Sequence, residues 1–205
     1  MLPSTLEETI ARRLMDYGKR LSHLERLEGG GGAWNLIEEI ELLVDGPTID
    51  FNNIPDNFRH LYVKFMVRGA RAASIFDETN MRLNGDSGAN YSSFTAQWYH
   101  NNQYITAEFL AQTSFISWIT IPATTAPAND FLGGWMFFPY YSNTTFNKKA
   151  MNYTNLRFGA AAGQILNRQG MGTWISTAAI NRIEWYSRFA NDLLAGSIAS
   201  LYGIA

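Results

Sequence analysis

The sequence predicts a mainly-β fold: an antiparallel β-sandwich of jelly-roll type, preceded by a short N-terminal coiled-coil helix. Three observations carry this expectation. Apolar residues change their period from about 3.5 to 2 after a run of four glycines. Many short alternating segments then follow, with turn chemistry between them and no intervening helical pattern. The 205 residues are 46% hydrophobic and 14% aromatic, enough to bury one good core.

The helix is expected over residues 1–28. Ser4 and Glu7 stand at capping-box spacing, and Glu7 and Glu8 suit the positive end of the helix dipole. Ile10, Leu14, Tyr17, Leu21 and Leu24 recur in steps of four and three, the seam of a parallel coiled coil. A helix lying on its own domain carries a similar stripe. Isolated helices of this length are marginal in water, which favours self-association, with a trimer preferred. Gly29–Gly32 stops the helix and forms a linker, residues 29–32. The residues before the helix contain no continuous apolar run, so neither a secretory leader nor membrane insertion is expected.

The sandwich is expected over 33–205. Trp34, Leu36, Ile40, Leu42 and Val44 are assigned to one face of a first strand, and Ile49 and Phe51 to its continuation. Leu61, Val63, Phe65 and Val67 alternate with Tyr62, Lys64, Met66 and Arg68, the clearest half-buried strand. Further strands are expected at 80–84, 90–99, 105–110, 115–121, 131–138, 149–158, 164–171, 180–187 and 197–204.

Charged residues are only 17% and the net charge is −2, so no basic patch exists to track phosphates and nucleic acid is excluded as a partner. With no cysteine, disulfides and thiolate chemistry are excluded as well. No metal-ligand histidine spacing, nucleophile elbow or phosphate-binding glycine loop is found. His60, just before a strong strand, reads as a local hydrogen-bond partner. Asp77 and Glu78 are adjacent, and consecutive extended residues diverge, so they make a weak carboxylate pair. Asp86, Gly88 and Asn90 read as a hydrogen-bonded turn in preference to a calcium loop. The expectation is therefore a non-enzyme without cofactor or metal.

Two aromatic and amide-rich loops stand out. Trp98, Tyr99, His100, Asn101 and Tyr104 belong to one, and Tyr140 and Tyr141 to the other. Rings stack on sugar C–H faces while amides bond hydroxyls, so the loops suit glycan. Aromatics are also enriched where subunits meet, and both readings stay open.

The stretch Arg82-Leu83-Asn84-Gly85-Asp86-Ser87-Gly88-Ala89-Asn90-Tyr91 resembles the "RFNGDxGxNY" hairpin of a diffuse group of tailed-bacteriophage virion proteins. Ile54–Leu61 is similar to that group's "IPxxYKHL" lead-in, and Gly196–Ile204 to its "GSxFSLYGI" ending, with Ala199 in place of a bulky apolar residue. The likeness spans Ile54 to the end, weakly in the middle. It implies membership of the virion, in a tail or head appendage; taken with the helix seam and the aromatic loops, the expectation is a homotrimeric tail-fibre or appendage subunit contacting other virion proteins and host-surface carbohydrate. Alternatives are a head-decoration or head-fibre protein on the capsid, or a stand-alone carbohydrate-binding module. A hydrolase of surface polysaccharide is the weakest rival.

Overall fold

A computed structural model describes residues 33–99, 103–157 and 165–205. The expected helix with its seam Ile10, Leu14, Tyr17, Leu21 and Leu24, the glycine linker, and His100 and Asn101 lie outside the described residues. The compact body runs from Leu36 to Ala205.

The described chain is all-β. Twelve strands follow in order: β1 (Trp34–Glu41), β2 (Thr48–Phe51), β3 (His60–Val67), β4 (Phe76–Leu83), β5 (Tyr91–Tyr99), β6 (Tyr104–Gln112), β7 (Phe115–Pro122), β8 (Leu132–Pro139), β9 (Lys148–Arg157), β10 (Ile165–Trp174), β11 (Ile183–Ser187) and β12 (Ile198–Ile204). They form an eight-stranded sheet in the order β1-β12-β3-β8-β9-β10-β5-β6 and a four-stranded sheet β2-β11-β4-β7. Every pairing whose register is defined is antiparallel.

The sheets pack face to face as a β-sandwich. The period-2 rule explains which residues meet: Leu61, Val63, Phe65 and Val67 of β3 all point inward and are buried. Phe65 packs edge-on against Trp185 of the small sheet, with centroids 4.7 Å apart, and Tyr91 meets Phe115 likewise at 5.0 Å. Gly134 lies opposite Phe65, and a Cβ there would stand 2.9 Å from the Phe65 ring and 2.7 Å from the Tyr153 carbonyl oxygen. Glycine is needed at this point for the ring to reach the core.

Two expectations are corrected. The inward residues of the first strand are Ile37 and Ile40, followed by Leu42, whereas Trp34, Leu36 and Val44 are exposed. Inward positions three residues apart break the strict alternation that the sequence suggested. β4 also begins at Phe76, four residues before the expected start. Its polar opening has no apolar alternation to mark a strand start, yet Asp77 and Thr79 are buried because partners satisfy them: Asp77 accepts from the Ser187 hydroxyl at 2.8 Å, and Thr79 donates to the Ile119 carbonyl at 3.2 Å.

Candidate functional site

The two aromatic loops do not come together. Cross-strand register sets Tyr99 level with Leu166, and Leu166 level with Leu156, beside the Asn155–Gly133 pair at the start of β8. Tyr140 follows the end of β8, so it lies at the opposite end of the large sheet from Trp98, Tyr99 and Tyr104. Trp98 and Tyr104 face each other across the β5–β6 hairpin with ring centroids 5.3 Å apart, and both are exposed. Tyr99 turns inward against the core, its hydroxyl 3.2 Å from Gln97 Oε1.

At the other end Tyr140 is exposed in a left-handed conformation at φ 48. Its backbone N–H donates to His60 Nδ1 at 3.0 Å, and the two rings meet edge-on. Burial, aided by the Arg59 charge, holds the His60 imidazole below its ordinary pKa, which keeps Nδ1 an acceptor. Tyr141 is a correction to the surface reading: it is fully buried, its hydroxyl donates to the Pro55 carbonyl, and burial pushes its phenol up.

The Asn84–Tyr91 stretch is a fastened turn. Asn84 and Gly85 take positive φ of 54 and 68. The Asn84 side chain accepts from the backbone N–H of Asn181 and Arg182 at 2.8 and 3.1 Å, and donates to the Ala179 carbonyl at 2.7 Å. The Asp86 carboxylate accepts from Gly88 N–H at 2.8 Å, Asn90 Nδ2 at 2.9 Å and Trp174 Nε1 at 2.7 Å. Partial burial pushes the Asp86 carboxyl up, but these donors outweigh it and leave it below the ordinary value. The Tyr91 hydroxyl closes the turn through the Leu83 N–H, the Leu83 carbonyl and the Asp86 carbonyl.

Asp77 and Glu78 serve different neighbourhoods. Asp77 sits with Ser187 and Asn191, and burial raises its pKa. Glu78 pairs with Arg188 at 2.5 Å and lines a cavity of about 100 Å³ between the sheets with Gln97, Tyr99 and Thr120. They do not converge on a common point. Among the described residues no group of three or more His, Asp or Glu is placed to hold a metal ion.

A trough of about 600 Å³ lies on the outer face of the large sheet. Alternation puts Tyr62 and Lys64 of β3, Gly133 and Trp135 of β8, and Tyr153 and Asn155 of β9 on that face. Pairing then lines up the rings: Tyr62 to Trp135 is 5.8 Å between centroids at 20°, and Trp135 to Tyr153 is 6.4 Å at 27°. Gly133 leaves the floor without a side chain, and a Cβ there would meet only the Met66 sulfur, at 3.1 Å. Polar groups frame the rings. Lys64 Nζ lies 4.8 Å from the centre of the Tyr202 ring, Asn155 Nδ2 donates to Asn167 Oδ1 at 2.7 Å, and the Ser200 hydroxyl donates to Glu39 at 2.7 Å. The lining contains no carboxylate. Such a surface can stack on an apolar ring face and bond hydroxyls, and it lacks the acid pair of a glycosidase. Sequence reading missed it, because Tyr62 joins Trp135 and Tyr153 only through the pairing of β3 with β8, far apart in the chain. The local signal was the outward run Tyr62, Lys64 and Met66.

No protein-family model and no curated protein matches the chain. Two crystal structures of scytalido-glutamic peptidase are similar to it. One holds a peptide-based transition state analog, at 11% identity and a TM-score of 0.22. The other holds a transition state analog inhibitor, at 12% identity and a TM-score of 0.19. Each likeness covers 81% of this chain and 66% of the peptidase chain, just under two thirds of its length. At such TM-scores the likeness carries no argument about this chain.

Proposed function

We propose that the chain is a non-enzymatic virion protein of a tailed bacteriophage, a homotrimeric tail-fibre or appendage subunit whose β-sandwich head binds host-surface glycan. The observation that carries the binding reading is the row Tyr62, Trp135 and Tyr153 above the bare floor at Gly133. Three near-parallel rings with centroids 5.8 and 6.4 Å apart, with Lys64, Asn155 and Ser200 beside them, match the mixed apolar and hydroxyl chemistry of a glycan. The virion reading rests on the resemblance of Arg82–Tyr91, Ile54–Leu61 and Gly196–Ile204 to the motifs of tailed-bacteriophage virion proteins. The leucine stripe of residues 1–28 supplies the association that multiplies weak glycan contacts into firm attachment.

The test of placement is direct. Peptides of this chain should be found in purified phage particles, and antibody-gold label should decorate the tail or its appendages. Label on the capsid shell would assign the chain to head decoration, and absence from particles would refute the virion reading.

A further inference from the structure

Two strands end the large sheet, and they are built differently. β1 carries Glu38, Glu39 and Glu41 within eight residues, and their mutual repulsion protects that edge from pairing with another copy. β6 carries a single charge, Glu108, in nine residues, with no lysine and no proline. Tyr104, Ile105 and Leu110 of β6 are 55%, 46% and 59% exposed. Among the described residues β5 is the one strand hydrogen-bonded to β6. The pairing with β5 runs regularly from Tyr104 to Phe109, and only then shifts register, with Ala111 left-handed at φ 51. Six residues of regular, nearly neutral edge therefore stand open, the feature that folded proteins ordinarily protect.

The sequence of that edge is complementary to itself. Antiparallel pairing about Ala107 sets Ile105 opposite Phe109, Thr106 opposite Glu108, and Tyr104 opposite Leu110. Apolar meets apolar, a hydroxyl meets a carboxylate, and the two Glu108 charges do not face each other. Side chains opposite one another in an antiparallel pair also share a face, so Ile105 and Phe109 meet on one side and Thr106 and Glu108 on the other. We infer that β6 pairs antiparallel with β6 of a second copy of this chain, joining two large sheets across a twofold axis. This contact is isologous and independent of any association through residues 1–28. It leaves the trough over β3, β8 and β9 open, because β10 and β5 separate it from β6.

The absence of cysteine makes a clean test. In the full-length chain, Ala107→Cys places two thiols at the twofold axis, where facing Cα atoms about 4.5–5.5 Å apart suit a disulfide. Under mild oxidation at micromolar concentration, Ala107→Cys should form a covalent dimer at least tenfold faster than Glu41→Cys on β1. Adding Ile105→Lys should abolish the difference. In the unsubstituted chain, hydrogen exchange at β6 amides should slow as concentration rises. Equal cross-linking at both edges, or none at Ala107 or at single cysteines replacing Thr106 and Glu108, overturns the inference. Concentration-independent protection of β6 without cross-linking assigns the edge to some other strand and overturns it equally.

Discussion

Replacing Asp86 with alanine removes three hydrogen bonds from one carboxylate, and their geometry sets the expected cost. Trp174 is 3% exposed, and its Nε1 donates to Asp86 at 2.7 Å, so the alanine variant strands a buried indole N–H. An orphaned buried donor costs about 1–3 kcal/mol. The bonds from Gly88 N–H and Asn90 Nδ2 lie at the solvent-facing part of the turn, where water replaces much of what is lost, and they add about 1 kcal/mol together. The expected loss is therefore about 3 kcal/mol, or roughly 6–12 °C in Tm for a domain of this size. Urea unfolding at pH 7 followed by tryptophan fluorescence measures it. Trp174→Phe removes the donor itself, so in a double-mutant cycle the Asp86→Ala cost should shrink by about 1–2 kcal/mol. The pH dependence has a definite sign. Because the folded carboxyl lies below its ordinary value of 3.8, its contribution is complete above that value and is lost as pH falls through the folded pKa. Asp86→Ala should flatten that acid limb. A loss under about 0.5 kcal/mol with no coupling to Trp174 would refute the assignment of this carboxylate as the fastener of the turn.

Asp77→Asn should leave stability at pH 7 unchanged or raised, because burial lifts the Asp77 carboxyl above its ordinary value and ionising it opposes folding. The native chain should lose stability as pH rises from that ordinary value through the raised one, and calorimetry should find this slope missing in the variant. Arg168 is 2% exposed and donates to the Thr120 and Thr95 hydroxyls, its Nε has no partner, and burial pulls its pKa down to about 10. Arg168→Met should accordingly be neutral or stabilising by about 1–4 kcal/mol in urea melts, since an apolar chain of similar volume avoids desolvating a charge. Gly133→Ser should keep Tm within about 2 °C, because only the flexible Met66 side chain must yield, while weakening glycan binding several-fold by filling the trough floor.

Much of the fold was legible because local alternation and turn chemistry are local signals. β3 reads directly, since its four buried apolar residues are two apart, and the Asn84-Gly85 turn declares its positive φ through residue type. The start of β4 was hidden, because Asp77, Glu78 and Thr79 show no apolar alternation, and the burial of Asp77 and Thr79 depends on Ser187 and the Ile119 carbonyl, distant in the chain. The face of β1 was misread, because the outer surface of the large sheet is itself rich in apolar residues, so Trp34 and Leu36 give no sign of pointing outward. The role of Trp174 as partner of Asp86, 88 positions away, is a long-range contact that no local pattern encodes. The candidate site was the least legible part. Aromatic loops were conspicuous in the sequence, yet Tyr141 is core, Tyr99 turns inward, and the concave aromatic surface joins β3 to the consecutive strands β8 and β9, which lie far from it in the chain.

Binding of a glycan at the trough is tested most directly by titrating the full-length chain with oligosaccharides released from the surface polysaccharide of susceptible bacteria, followed by tryptophan fluorescence or calorimetry. The account predicts saturable binding that Trp135→Ala weakens about tenfold, the worth of one aromatic stacking contact, and that Tyr140→Ala, outside the trough lining, leaves unchanged. Absence of saturable binding, or equal affinity in the Trp135→Ala chain, would contradict it.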